Sequence, residues 1–246
     1  MIEPALLSLT HDASRPRVTT YTPDGRTELS GTVLRNWASK VAGLLLDELG
    51  AGPGDEVLVS TPAHWQTAGI LLGSWWAGLS LTDTDGPDVV AAFVAPGGDA
   101  SADEVFVVSG HPLGLGMTGL PAHQRDYTSS VLGQADRFIA RSSTPADRAL
   151  RAGDDVLTAA ALRAAVTAPS GILPGQRVLT AGPWSFAGRV PDVVSLLVRP
   201  LGVGASVIHS TDLDPAGDVD AWAHRASVEK ADVTIGVDVA GLRRLG

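Results

Sequence analysis

The chain has 246 residues, 44% of them hydrophobic and 18% charged, so it is long and apolar enough to bury the core of a globular protein. Its formal net charge is −9 and it has only two lysines, Lys40 and Lys230, which excludes the basic stripe typical of nucleic-acid-binding proteins. The absence of cysteine excludes disulfides, thiol catalysis and cysteine-based metal sites.

The N-terminal segment, MIEPALLSLTHDASRPR, has no basic stretch followed by a long apolar run, so it is not a signal peptide. No window of the sequence reaches the roughly 18–20 uninterrupted apolar residues of a membrane span. We therefore predict a soluble, cytoplasmic protein that contacts no membrane.

The first regular pattern covers residues 25–82. A short strand-like piece ends at Ser30, a hydroxyl residue suited to cap the helix that follows. Residues 50–59, GAGPGDEVLV, are a Pro-Gly turn that leads into a strand, and residues 62–82 have the pattern of a helix, a glycine and a second strand. Strand, helix and strand in this order predict a βαβ crossover with parallel strands.

The same pattern recurs in residues 153–210. The turn at residues 171–180, GILPGQRVLT, shares G-x-x-P-G-[DQ]-x-V-L with the first turn, and Thr158 takes the capping position. The sequence thus predicts an α/β fold of two pseudo-repeated βαβ units, with mostly parallel sheets flanked by helices. We place a first subdomain at residues 1–110, an irregular connecting segment at 111–150 and a second subdomain at 151–246.

Outside the repeats, residues 88–95 and 103–109 have the apolar composition of short buried strands, with a loop at 95–103 between them. Residues 126–142 have apolar positions at helical spacing. The last part of the chain predicts a helix, a strand at 232–237 and a short final helix.

Residues 112–123, PLGLGMTGLPAH, contain the pattern G-x-G-x-x-G from Gly114 to Gly119. A dinucleotide-binding turn needs its third glycine at the start of a helix, inside a βαβ unit. Here Leu120 and Pro121 follow instead, and no parallel strand partner is evident nearby. We therefore interpret the stretch as a glycine-rich loop without phosphate contacts, in which alanine at Gly116 or Gly119 has a modest effect unless the position requires a positive φ.

Residues 20–82 and about 150–245 together resemble the N-terminal region of the adenylate-forming superfamily, the acyl-CoA synthetases and adenylation domains that bind AMP. The resemblance rests on the opening helix, the PGD turn, the Trp-containing helix and the Ala-Gly strand of the first unit, on their repetition, and on the final VEKADVTIGVDVAGLRRL. It implies a phosphate loop of the form T-S-G-T-T-G-x-P-K-G, whose backbone N–H groups and lysine hold phosphates.

Two segments can be placed on that loop. Residues 115–123 keep a Gly-x-Thr-Gly-x-Pro pattern but have Ala122 where the lysine belongs. Residues 145–154, PADRALRAGD, directly precede the helix that follows the loop in the family, so we prefer this placement, although it has neither threonine nor lysine. Neither segment has the chemistry to hold ATP.

The sequence also ends before the family's Y-G-x-T-E motif, its ribose-binding strand and its C-terminal domain with the catalytic lysine. We therefore expect a non-catalytic protein without a cofactor, which acts by binding a protein partner or an acyl-type small molecule. The alternative is an AMP-forming, acyl-activating half-enzyme that needs a complementing chain or uses a divergent site.

Residues 180–189, TAGPWSFAGR, stand where the family has a P-x-F-H-x-x-G turn beside its acyl pocket. The resemblance implies a ligand-binding wall made of four residues, Trp184, Ser185, Phe186 and Gly188. The residue types by themselves favour a buried aromatic turn over such a pocket. Ser185 does not fit a hydrolase nucleophile, because Gly182 and Gly188 lie three residues away on either side and G-x-S-x-G is not satisfied.

The six histidines show no metal-ligand spacing, so we predict no metal site. The segment SWWAG at residues 74–78 is interpreted as core packing or contact surface. We expect a homodimer, because apolar surface that the family covers with its missing parts must be buried elsewhere. The expected contributors are Trp75, Trp76 and residues 233–245, including Arg243 and Arg244.

Overall fold

The computed structural model describes residues 1–139 and 144–245. Within those two ranges, thirteen strands form a seven-stranded and a six-stranded sheet. The seven-stranded sheet comprises, in spatial order, β7 (Gln124–Asp126), β6 (Glu104–Val107), β5 (Val89–Val94), β3 (Glu56–Ser60), β4 (Ser80–Thr82), β8 (Arg148–Ala152) and β9 (Asp155–Thr158). The six-stranded sheet comprises β13 (Arg243–Leu245), β12 (Val233–Ile235), β10 (Arg177–Ala181), β11 (Ser206–Ser210), β1 (Pro16–Thr22) and β2 (Gly25–Ser30).

Helices flank the sheets. They are α1 (Glu3–Ser8), α2 (Gly31–Gly43), α3 (Trp65–Ala77), α4 (Tyr127–Leu132), α5 (Ala159–Thr167), α6 (Arg199–Gly202) and α7 (Val219–Val228). Helix α2 continues as a π-helical turn over Leu44–Glu48, and a second π-helical turn over Val194–Val198 leads into α6. The predicted α/β fold with mostly parallel, helix-flanked sheets is confirmed.

The repeat is visible in the topology. In the first half β3, α3 and β4 form a parallel crossover, and in the second half β10, α6 and β11 do the same. The predicted caps are also confirmed: the Ser30 side chain accepts a hydrogen bond from the Val33 N–H, and that of Thr158 from the Ala161 N–H. The two halves therefore share local chemistry as well as element order.

The two halves exchange their N-terminal hairpins. Hairpin β1–β2 adds to β11, with Val18 opposite Val207, and hairpin β8–β9 adds to β4, with Leu81 opposite Leu150. Each hairpin is antiparallel, whereas the other described pairings in both sheets are parallel. The subdomain boundaries at residues 110 and 150 remain a prediction about folding units, and strand pairing crosses both of them.

Helix α3 lies in the centre of the core, with all 13 of its residues buried. A Cβ at Gly73 would lie 2.6 Å from the Ala38 carbonyl oxygen, so glycine allows α2 and α3 to cross closely. Trp75 and Trp76 are 1% and 7% exposed, and the Trp75 indole donates to the Ala149 carbonyl. The core interpretation of these tryptophans is thus confirmed, and their expected place at a dimer surface is wrong, because the side chains are covered within one chain.

Two further expectations change at the chain's less regular parts. The predicted final helix is absent: the segment after β12 turns at Gly241, with φ +83°, and forms the edge strand β13. In the segment 126–142 the described helix is α4 alone, capped by Asp126, and the last predicted positions lie outside the described residues. In the part of the chain that the structure describes, no helix combines the length and apolar character needed to cross a membrane.

A buried carboxylate fixes each exchanged hairpin. Glu56, at the start of β3, is 1% exposed and receives three hydrogen bonds from the Arg151 guanidinium of β8, with Arg148 3.3 Å away. Glu229, after α7, receives the Tyr21 hydroxyl at 2.6 Å and the Arg26 Nε at 2.7 Å from hairpin β1–β2. In both cases an acid of one half is neutralised by the hairpin of the other half.

Glu229→Gln is expected to lower the free energy of unfolding at pH 7 by about 1.5–3 kcal/mol, because it weakens charge-assisted hydrogen bonds. Burial alone would raise the pKa of Glu229, but the hydrogen bonds from Arg26 and Tyr21 and the charges of Arg26 and Arg177 bring it below its usual value. A lowered folded-state pKa stabilises above the ordinary carboxyl pKa, and the gain disappears as pH falls through the folded value. The difference between wild type and variant should therefore shrink on acidification.

Urea unfolding at pH 7 and at pH 3 measures this difference. Asp238→Asn is the control, because its ion pair with Arg244 is exposed and should contribute little at either pH. An equal wild-type-to-E229Q difference at both pH values would contradict the assignment.

Candidate functional site

The segment that the sequence predicts as a ligand wall follows β10 directly. Trp184 and Phe186 are buried, at 8% and 6% exposure, and Ser185 Oγ accepts a hydrogen bond from the Ala187 N–H at 3.1 Å. Gly188 has φ +96°, a conformation that favours glycine. The turn therefore has a fixed shape in which its two aromatic rings point into the protein.

Two of the predicted residues share a cavity with the exchanged hairpin β8–β9. The cavity has a volume of about 340 Å³. Its lining comprises Leu150, Asp155, Val156 and Leu157 from the hairpin, and Phe186, Gly188, Arg189 and Pro191 from the segment after β10. We call it the hairpin cavity. It brings together the predicted ligand wall and the hairpin that precedes α5, two regions about 30 residues apart in sequence.

Trp184 faces a different neighbour. Its ring centroid lies 5.0 Å from that of His209, at the carboxyl ends of β10 and β11. His209 Nδ1 is 2.7 Å from Thr180 Oγ1, and complete burial lowers the pKa of His209 to about 3, so the imidazole is neutral. The sequence did not reveal this pair, although the alignment of neighbouring parallel strand ends could have placed the two residues near each other.

The same contacts bear on the nucleophile hypothesis for Ser185. His209 Nδ1 is hydrogen-bonded to Thr180 Oγ1, and among the described residues no hydrogen bond joins Ser185 to a histidine. A serine nucleophile requires a base within hydrogen-bonding reach. The geometry gives this hypothesis no support.

The G-x-G-x-x-G stretch is a loop, as predicted. It joins β6 to β7, which pair in parallel, so the expectation that no parallel strand partner lies nearby is wrong. The Met117 N–H donates to Asp126 Oδ1 at 2.8 Å, and the Ser129 N–H donates to Asp126 Oδ2 at 2.7 Å, so one carboxylate holds the loop and caps α4. A Cβ on Gly116 would lie 2.7 Å from Asp126 Oδ2, and Gly119 has φ +72°. These glycines serve the loop's own packing. Alanine at either position is therefore expected to lower the stability of the protein more than the sequence alone suggests.

The preferred phosphate-loop placement, residues 145–154, lies largely on β8 and its turn. Only Gly153 and Asp154 separate β8 from β9, and Gly153 has φ +56°. The Gly153 N–H is directed to Thr84 Oγ1 at 3.3 Å, and Asp154 and Asp155 are exposed. The turn thus presents two carboxylates in place of a glycine-rich concavity with a lysine.

Among the residues that the structure describes, no group of three or more His, Asp or Glu side chains is arranged to hold a metal ion. His123 pairs with Asp99 at the surface, and His64 lies buried at the start of α3. His64 borders a cavity, and the sequence did not anticipate its environment.

Gly116→Ala is expected to destabilise the protein by about 1–3 kcal/mol, because the new methyl group collides with the carboxylate that caps α4. Gly119→Ala is expected to cost about 1 kcal/mol through backbone strain alone. Thermal and urea unfolding measure both effects. Gly133→Ala is the control, because that glycine has φ −72° and open space around its Cβ position. Stabilities indistinguishable among the three variants would contradict this account of the loop.

Solved structures with the same fold include acyl- and aryl-CoA ligases. An acyl-CoA synthetase of Brucella canis has a TM-score of 0.73 with 14% identity, and covers 94% of this chain and 46% of its own. A benzoate CoA ligase from Burkholderia xenovorans LB400 has a TM-score of 0.73 with 17% identity, over 96% of this chain and 49% of its own. An anthranilate CoA ligase, solved with anthranoyl-AMP, has a TM-score of 0.70 with 15% identity and the same two coverages.

The chain therefore spans about half the length of the solved structures that it matches. At these identities the likeness concerns the fold, which is that of the N-terminal half of adenylate-forming ligases. No family model matches the sequence. A protein of Mycobacterium tuberculosis described as a TIGR03089 family protein is 37% identical over 216 residues, which cover 83% of this chain and 86% of that protein. The chain is a member of the TIGR03089 family.

Proposed function

We propose that this chain is an adenylate-forming-like protein that does not form adenylates and acts by binding a small ligand. The observation that carries the proposal is the turn between β8 and β9. Where the resemblance places a loop of backbone N–H groups and a lysine, the chain has Gly153 and Asp154, followed by Asp155. Exposed carboxylates repel a triphosphate, and a two-residue turn offers no concavity to surround one.

The fold supports a ligand-binding role, because α/β proteins hold small molecules beyond the carboxyl ends of their strands. The hairpin cavity lies in such a position, with Phe186 as an apolar wall and with Arg189 and Asp155 as the charged residues of its lining. The solved neighbours are described as ligases of benzoate and anthranilate. An acyl-type or aromatic acid is accordingly the ligand class that we propose for this cavity, with Arg189 as the partner of its carboxylate.

We expect ATP and AMP to bind more weakly than about 1 mM, since no group in the β8–β9 turn attracts phosphate. Isothermal titration calorimetry with each nucleotide, and ATP–pyrophosphate exchange with and without benzoate or a fatty acid, measure this directly. An active acyl-CoA synthetase serves as the positive control. A micromolar ATP isotherm would overturn the proposal, and acid-dependent exchange would favour the alternative of an acyl-activating half with a divergent site.

We also propose that the chain is a homodimer. With the tryptophans of α3 buried, the remaining predicted surface is the edge of the six-stranded sheet, where β13 presents an unpaired strand side and Arg243 and Arg244 are exposed. Edge strands offer free backbone N–H and C=O groups to a second copy.

Light scattering coupled to size exclusion at micromolar concentration should give the mass of two 25.3 kDa chains. Arg244→Pro, which removes a backbone N–H donor at this edge, should shift the mass toward that of one chain. Arg163→Ala, at an exposed arginine on α5, is the control and should leave the mass unchanged. A mass of one chain at every concentration would contradict the proposed homodimer.

A further inference from the structure

A second cavity lies where the strand order of the seven-stranded sheet reverses. The chain leaves β3 through α3 to reach β4 on one side, and β5 then pairs on the other side of β3 and continues to β6. The connections that follow β3 and β5 thus run in opposite directions. Open α/β sheets form a ligand crevice at the carboxyl ends of two such neighbouring strands. A cavity of about 220 Å³ is found there, and we call it the switch-point cavity.

Both sheets contribute to this cavity. Its lining includes residues 61–64 after β3, Ala95 and Pro96 after β5, and residues 108–110 after β6. The turn of hairpin β1–β2, at residues 22–24, and Thr211 after β11 close it from the six-stranded sheet. The cavity is therefore formed only when the hairpin has been exchanged.

The internal repeat relates this cavity to the segment after β10. Aligning the two Pro-Gly turns superposes residues 53–65, PGDEVLVSTPAHW, on residues 174–186, PGQRVLTAGPWSF. His64 then occupies the position of Ser185, and Trp65 that of Phe186. In each half the chain therefore places this segment at the carboxyl end of the first strand of its crossover.

His64 supplies a hydrogen-bonding group at this cavity. It is 4% exposed and caps α3, where its Nδ1 accepts from the Gln66 N–H at 3.4 Å. Burial lowers the pKa of His64 to about 4, against the opposing charge of Asp24, so the ring is neutral. Because Nδ1 accepts from the Gln66 N–H, the ring proton is assigned to Nε2. Nε2 has no hydrogen-bond partner among the described residues, and leaving a buried donor unpaired costs about 1–3 kcal/mol.

The rest of the lining defines what would fit. Pro62, Ala63 and Val108 provide apolar surface, and Thr61 hydrogen-bonds Thr67 at 3.0 Å. Asp24 is the charged side chain of the lining, and none of the described lining residues is a lysine or an arginine. An anion would be repelled by this set. The volume is below the ~300–1,000 Å³ of sites for drug-sized ligands, so the occupant is of fragment size.

We propose that the switch-point cavity binds an uncharged, fragment-sized carbonyl compound that also carries an N–H or O–H group, such as a primary amide. On binding, the His64 ring turns so that Nε2, which is fully covered in the free protein, donates to the carbonyl oxygen, and Asp24 accepts from the N–H or O–H at the cavity mouth. The site is separate from the hairpin cavity, so it goes beyond the proposed function and is tested independently of nucleotide or acid binding.

Benzamide is the probe, and benzoate is its matched control, because the two have nearly the same shape and differ in charge. In ¹H–¹⁵N NMR titrations of the full chain we expect saturable benzamide shifts at residues 61–64 and 95–96, with a Kd on the order of 1 mM for so small a ligand. Benzoate should bind at these residues at least tenfold more weakly.

Two variants test the site from different directions. His64→Ser removes the imidazole but keeps a side-chain oxygen to cap α3, and Ala95→Leu fills the cavity without touching His64. Each should weaken benzamide binding at least tenfold, while His224→Ser, at an exposed histidine on α7, should leave it unchanged. Circular dichroism confirms folding, and Ala95→Leu alone decides the matter if His64→Ser does not fold. Absent or non-saturable benzamide shifts, equal binding of benzoate, or wild-type affinity in Ala95→Leu would each overturn the proposal.

Discussion

The exchange of hairpins between the two halves is the constraint on which the rest of the structure depends. Neither half completes its own sheet: β4 pairs with β8 and β11 pairs with β1. The exchange requires a buried acid in each half to meet arginines from the other, Glu56 with Arg151 and Glu229 with Arg26. Burying a carboxylate without a partner is costly, so the two pairs favour this register over other placements of the hairpins.

The exchange also creates the two cavities. The hairpin cavity lies between β9 and the segment after β10, and the switch-point cavity lies between the strand ends of one sheet and the β1–β2 turn of the other. Both cavities lie between elements that are distant in sequence. Loops that line such cavities can change without disturbing the strands, because the strands are held by their own hydrogen-bond ladders and by α3 in the core. Both cavities therefore lie where loops can differ in sequence while the strand pairing stays intact.

Local chemistry explains which features the sequence could predict. The caps at Ser30 and Thr158, the two Pro-Gly turns and the buried strands depend on residues close in sequence, and each was found where expected. The final helix was wrong because Gly236 and Gly241 adopt positive φ and β12 offers an edge to which β13 can pair. Trp76 was ambiguous, because helical spacing alone does not tell which side of a helix a second helix will cover.

The sequence by itself determined the class of the fold, its internal repeat and the chemistry of the β8–β9 turn, because strand periodicity, capping and turn residues act within a few positions of each other. The tertiary structure decided which hairpin joins which sheet, that Trp184 meets His209, and that His64 caps α3 beside a cavity with its Nε2 unpaired. These features depend on contacts between residues far apart in the chain. Their energies come from burial and from paired charges, which no local pattern specifies.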